Sequence, residues 1–277
     1  MEIRIAKHAG FCFGVRRAVD LAEKALENGQ KVYCMGSLIH NQQVIEKLEQ
    51  KGLVTIKTID KIPKDAIFLV RSHGIDPEIV QKIVERGNAI LDATCPFVRK
   101  AQLAAAEFYK NGYDIIICGD PLHAEVIGIN AWTNNSAKII HDADEIKNLE
   151  FKTTVGIISQ TTQKIELLKE VTAEVLEKTK HVIIKNTICF DSSTKQAEVS
   201  ALAKEVDLMI VIGGKNSSNT GKLVQLSLAQ KTTTKHIETA TELQTSWFKN
   251  IQKVGISAGA STAQFLIDEV VEKIKKI

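Results

Sequence analysis

One spacing constrains this chain more than anything else in it. Cys12, Cys95 and Cys189 each follow a short apolar stretch, and each lies 24 residues before a glycine: Gly36, Gly119 and Gly213. Between cysteine and glycine comes a helical pattern rich in Ala, Leu and charge (GVRRAVDLAEKALENG, PFVRKAQLAAAEFYKNG, FDSSTKQAEVSALAKEV). A short apolar strand follows (VYCM, DIIIC, LMIVI). One such spacing arises easily by chance; three with matching flanks are the mark of an internal repeat.

The parallel runs on past the glycines. Polar loops SLIHNQ, DPLHAE and KNSSNT lead into helical segments, then into the strands LVTI, AKII and TKHIE, and then into irregular acid-containing stretches. A further apolar strand (AIFLV, TVGII, KVGIS) enters SHG, SQTT and AGAST, and a helix follows each. The third repeat lacks a closing strand and cysteine; EIRIAKHAGFC at the N-terminus supplies them. Alternating strands and helices imply parallel α/β units. The expected fold is therefore α/β: three small domains with parallel-rich sheets about a shared centre, spanning 13–95, 96–188 and 189–277, with residues 1–12 completing the three-fold arrangement. One large doubly wound sheet is the alternative.

Composition excludes several function classes. A net charge of +3, with Lys and Arg spread along 277 residues, argues against nucleic acid and suits an anionic small ligand or an acidic protein partner. No apolar run reaches the roughly 18–20 residues of a membrane span, and MEIRIAKHAG has no signal-peptide core. The expectation is a cytoplasmic protein whose five cysteines serve as ligands, catalytic groups or core residues rather than as disulfides.

In parallel α/β units, ligands gather beyond the carboxyl ends of the strands. The three cysteines and all six polar loops belong there, around a central cavity. Each cysteine sits between a strand and a helix start, where the helix dipole favours thiolate. Three thiolates can hold zinc with a fourth ligand, or an iron–sulfur cluster with one iron left without a protein thiolate. Separations of 83 and 94 residues, without any C-x-x-C, favour a cluster between domains. Cys34 and Cys118 lie inside apolar strands and read as small core residues.

The loops offer His40 and Asn41, His73, His123 and Glu125, Gln160, Thr161 and Thr162, Ser217, Ser218 and Asn219, and Ser261. Helix capping accounts for hydroxyl and amide residues at such places but not for three histidines. Histidine, hydroxyl, amide and helix N-terminal N–H groups make a pocket for phosphate oxygens. With no P-loop and no G-x-G-x-x-G, a small phosphorylated ligand is expected rather than a nucleotide. Glu125, the one carboxylate near the centre of these loops, reads either as compensation of a helix dipole or as a proton donor beside the anion.

KHAGFCFGV, GSLIHNQQV, VRSHGI, LDATCPFV, GDPLHAEVIGI, SQTTQ, GKNSSNTGKL and GISAGAST, in order along the whole chain, resemble the 4-hydroxy-3-methylbut-2-enyl diphosphate reductases of the non-mevalonate isoprenoid pathway. The resemblance implies a three-lobed cloverleaf and one [4Fe–4S] cluster on Cys12, Cys95 and Cys189. It implies diphosphate contacts from His40, His73, His123, Ser217, Ser218, Asn219 and Ser261, with Glu125 and Thr161 in the proton relay beside the substrate hydroxyl. It implies electrons from ferredoxin or flavodoxin, and isopentenyl and dimethylallyl diphosphate as products. A monomer with no appended RNA-binding domain is expected. The chain departs from the family pattern after Cys189: FDSSTKQ stands where A-T-x-x-R-Q is expected, with Ser192 in place of a Thr and Lys195 in place of an Arg. A zinc-dependent hydrolase using Glu125 as base, and a non-catalytic carrier of a phosphorylated metabolite, are the competing readings.

Overall fold

The computed structural model describes residues 1–277. Its residues group into two compact units. One comprises Met1–Arg16, Ile39–Lys47 and Phe190–Ile277; the other comprises Arg17–Leu38 and Leu48–Cys189. Three four-stranded sheets carry the fold, one in the first unit and two in the second, and every strand pair is parallel.

In the first unit, β1 (Glu2–Ile5), β10 (Leu208–Ile212), β11 (Thr233–Ile237) and β12 (Lys253–Ala258) lie in the order β1-β12-β10-β11. The N-terminal strand pairs with the last one, Glu2 against Lys253 through Ile5 against Ile256, so the cyclic offset read from the sequence is real. LMIVI is apolar throughout because both faces are covered, as expected for a parallel sheet. Leu208, Ile210 and Ile212 pack with Ile267, Val270 and Ile274 of α9 (Gln264–Lys275). Met209 and Val211 face the other way, against Val199 and Ala203 of α7 (Phe190–Ala203) and Leu223 of α8 (Ser218–Ala229).

The second unit repeats this layout twice. Strands β2 (Val32–Met35), β3 (Leu53–Ile56), β4 (Ile67–Val70) and β5 (Ala89–Asp92) are ordered β3-β2-β4-β5. Strands β6 (Asp114–Cys118), β7 (Lys138–Ile140), β8 (Val155–Ser159) and β9 (Val182–Ile184) are ordered β7-β6-β8-β9. Alternation again sorts the side chains. Ile115 and Ile117 pack with Phe108 of α4 (Pro96–Lys110) and with Val126 and Ile129 of α5 (Ala124–Asn130). Ile116 and Cys118 pack with Leu168, Val171 and Val175 of α6 (Ile165–Leu176). The remaining helices are α1 (Phe13–Leu26), α2 (Gln42–Gln50) and α3 (Pro77–Glu85). On α1, Ala18, Ala22 and Leu26 recur every fourth residue and are all buried.

Every strand read from the sequence is present. The acid-containing stretches that looked irregular resolve into short 3₁₀ turns at Ile59–Lys61, Ala143–Asn148 and Ala240–Glu242. Cys34 and Cys118 are fully buried in β2 and β6, and burial pushes each thiol up to about 12. No helix is long and apolar enough to cross a membrane.

Candidate active site

The repeat extends into the hydrogen bonds that place each candidate residue. Gly36, Gly119 and Gly213 each donate their N–H to the last residue of the adjoining strand: Ile56, Ile140 and Ile237, at 2.9, 2.8 and 2.9 Å. Four residues beyond these glycines stand His40, His123 and Ser217; six beyond stand Gln42, Glu125 and Asn219. The three cysteines are held by one recurring bond. Cys12 N–H donates to Ala260, Cys95 N–H to Ser72 and Cys189 N–H to Thr161, at 3.0, 2.9 and 2.9 Å. Each acceptor lies two residues past the end of a strand, β12, β4 or β8 respectively. Next in sequence come Ser261, His73 and Thr162.

Each cysteine opens a helix and is partly exposed. Val15 N–H points at Cys12 Sγ, 3.4 Å away. Burial raises the Cys95 thiol, opposed by N–H groups of Phe97 and Val98 and by the charge of Arg17; the carboxylate of Glu125 adds to the rise. A thiol under such opposing forces is readily deprotonated by a bound metal, which removes the cost of a bare thiolate.

Glu125 is 2 % exposed in the first turn of α5. Thr161 donates its N–H to Oε1 at 2.6 Å and its hydroxyl to Oε2 at 2.9 Å. The helix begins at His123, whose Nδ1 accepts the Glu125 N–H at 3.2 Å. Histidine here does the capping usually left to Ser or Asp, and in the neutral ring this leaves the proton on Nε2, the other nitrogen. His73 meets His123 edge-on, with ring centroids 5.6 Å apart. The His73 loop lies close against α5 at Gly128, where a Cβ would come within 3.2 Å of the His73 carbonyl. Ser72, which no sequence signal singled out, ties the same loop down by donating its hydroxyl to Leu38 O at 3.0 Å.

In the first unit, Ser217 caps α8 by accepting Thr220 N–H at 3.3 Å, which leaves its hydroxyl proton for another partner. Asn219 is 5 % exposed, yet neither its Nδ2 nor its Oδ1 makes a hydrogen bond. A buried amide in that state costs free energy, and it is explained if a ligand completes it. Ser261 donates its hydroxyl to His40 O at 2.9 Å, and a Cβ at Gly214 would approach the same carbonyl to 3.0 Å, so the backbone at His40 is tightly seated. The capping reading holds for Asn41, which accepts Val44 N–H at 3.0 Å, and for Ser217. No side chain caps α6 or α9.

Lys195 is 2 % exposed and reaches back to the segment before Cys12, where it donates to the carbonyls of His8 and Gly10. The departure noted in FDSSTKQ is thus a basic residue for a basic residue with a definite structural task.

A family model described as LytB protein matches residues 3–275. A 4-hydroxy-3-methylbut-2-enyl diphosphate reductase of Alkaliphilus oremlandii is 44% identical over 280 residues, covering 100% of both chains. One of Clostridioides difficile is 42% identical, again over 100% of both. Among solved structures, the E-1-hydroxy-2-methyl-but-2-enyl-4-diphosphate reductase of Plasmodium falciparum superposes with a TM-score of 0.93 at 27% identity, over 98% of this chain and 87% of that one. A second, an (E)-4-hydroxy-3-methyl-but-2-enyl diphosphate reductase described as the terminal enzyme of the non-mevalonate pathway, is 41% identical over 100% of both chains, with a TM-score of 0.73. The triplicated sheets, the cysteines repeated at one place in each, and a match running the length of the sequence lead to one conclusion: this chain belongs to the LytB family.

Proposed function

We propose that this chain reduces 4-hydroxy-3-methylbut-2-enyl diphosphate, removing its hydroxyl group to give isopentenyl and dimethylallyl diphosphate. Full-length relatives of this name support the reaction. The observation that carries the chemistry is the Glu125–Thr161 pair, whose threonine also accepts the N–H of Cys189. An acid and a thiol thus share one residue.

The family implies a metal cofactor, and the finer reading is one [4Fe–4S] cluster on Cys12, Cys95 and Cys189. The donor set fits. The three thiols occupy one place in a repeated layout, at helix starts, with backbone N–H groups directed at Cys12 and Cys95. When bound, the cluster supplies one-electron reducing power and a Lewis-acidic iron.

The chain's own residues do the rest. His40, His73, His123, Ser217, Ser218, Asn219 and Ser261 bind the diphosphate; Asn219 offers its buried amide. Binding the diphosphate, remote from the reacting carbon, orients the substrate. Glu125 holds the proton that leaves with the hydroxyl as water, and the Thr161 hydroxyl passes it on. Burial of Glu125 keeps bulk water from competing for that proton. Ferredoxin or flavodoxin is the electron donor, the enzyme acts as a monomer, and a cytoplasmic location suits cysteines that serve as cluster ligands or core residues rather than as disulfides.

The test is anaerobic purification followed by turnover. A brown protein containing iron and sulfide, which oxidises a reduced viologen dye only when the diphosphate is added, is the expected result. A colourless protein holding zinc, or one that binds the diphosphate without consuming electrons, would overturn the reading.

A further inference from the structure

We propose that Lys195 and Arg17 are positioning residues that fix the backbone limbs carrying Cys12 and Cys95. The inference rests on the reading of those cysteines as cluster ligands.

Residues 6–12 link β1 to α1 without belonging to either. Gly10, at φ +96°, turns this limb in a conformation that L side chains avoid, and a Cβ there would come within 3.1 Å of Ile267. Within the limb, the carbonyls of His8 and Gly10 both accept Lys195 Nζ, the second at 3.0 Å. Glu198, one turn further along α7, accepts the N–H of His8 at 3.0 Å and faces its Nδ1 at 2.6 Å. So α7 grips the peptide on both sides of His8, four residues before Cys12.

Arg17 does the corresponding work at Cys95. Its Nη1 donates to Thr94 O at 3.2 Å and its Nη2 to Asp92 O at 3.1 Å, one and three residues before that cysteine. The two clamps share a logic. Arg17 stands on the helix that follows Cys12 and holds the limb before Cys95. Lys195 stands on the helix that follows Cys189 and holds the limb before Cys12. The third limb is held differently: Thr187 Oγ1 exchanges hydrogen bonds with Ser159, accepting its N–H at 2.8 Å and donating to its carbonyl at 2.5 Å. The Lys185–Glu107 ion pair on α4 lies at the surface, where such pairs contribute little.

Burying an ammonium group is costly, and the nearest carboxylate, Asp191, is 3.9 Å away. An apolar side chain would fill the same space without that cost. What the charge adds is two directed bonds to carbonyls that otherwise have no fixed partner, and so a fixed course for the chain into the cysteine. Groups that orient metal ligands in this way typically account for roughly 10–100-fold in metal affinity.

The test uses the anaerobically purified holoenzyme and an iron chelator. K195M should lose its visible absorbance roughly 10–100-fold faster than wild type. K195R, which keeps charge and donors, should stay within a few-fold of wild type. K204M, at an exposed lysine just past α7, should behave as wild type. In the cluster-free protein, alkylation read by mass spectrometry should rise at Cys12 in K195M and at Cys95 in R17K, which keeps the positive charge that favours the Cys95 thiolate but loses the forked grip on two carbonyls. Wild-type kinetics in folded K195M, or equal gains at all three cysteines, would overturn the inference. Should K195M not fold, E198Q carries the same expectation at Cys12, and an unchanged Cys12 there overturns it. A wild-type protein without iron and sulfide sinks the cluster reading instead, while the alkylation pattern still judges the clamps.

Discussion

Thr161 gives both of its donors to Glu125, N–H to Oε1 at 2.6 Å and hydroxyl to Oε2 at 2.9 Å, while its carbonyl accepts Cys189 N–H at 2.9 Å. A carboxylate held at both oxygens has one orientation. It is placed by the loop after β8 rather than by its own helix, and that loop also sets the course of the chain at a cysteine.

Glu125→Gln separates proton delivery from positioning. Glutamine keeps the shape and can satisfy Thr161, accepting the N–H at its carbonyl oxygen and donating its amide to the hydroxyl. It cannot act as an acid. The variant should retain cluster and substrate affinity while single-turnover reduction under saturating substrate falls by roughly 10²-fold or more. A rate within a few-fold of wild type, with cluster content matched, would leave Thr161 or the diphosphate itself as the proton source.

Asn219 should trade stability for binding. Its amide is buried without hydrogen bonds, which costs about 1–3 kcal/mol. Asn219→Ala should therefore leave the Tm unchanged or higher, while the affinity for substrate falls about tenfold or more, equivalent to about 1.4 kcal/mol. Calorimetry and a thermal melt check both halves. A markedly lower Tm with unchanged affinity would assign the residue to the fold alone.

The five cysteines should divide into two classes. Cys95→Ser should lose iron, sulfide and visible absorbance together. Cys34→Ala and Cys118→Ala should keep them, at about 1 kcal/mol of stability each, the scale of small core deletions. With burial holding both thiols near 12, native alkylation at pH 8 should leave Cys34 and Cys118 unlabelled; rapid labelling there would contradict their burial.

Gly156 tests packing away from the chemistry. It lies in β8 beneath the ring of Phe108, and an added Cβ would fall 2.6 Å from Phe108 Cγ. Gly156→Ala should cost about 1–3 kcal/mol through overpacking while iron content in the folded protein stays at the wild-type level. An unchanged Tm would mean that Phe108 moves aside freely.

The strands, their grouping into three parallel sheets and the displaced N-terminal strand were all legible in the spacing of the repeats. Repeats announce themselves by spacing, and two-sided burial leaves each parallel strand an unbroken apolar run such as LMIVI or DIIIC. Glu125 and Thr161 were legible as polar loop residues at strand ends. Their bond was not, since 36 residues separate them and only the folded loops bring them together. Likewise, nothing in RR or STKQ distinguishes Arg17 and Lys195 from solvated helix charges. Their partners are backbone carbonyls, which every residue carries and which leave no trace in the sequence. Which basic side chain is turned inward emerges only on folding, because it depends on where distant peptide groups come to rest. The same holds for His123 as the cap of α5, because the choice between capping nitrogen and ligand donor is made by the direction of one N–H bond.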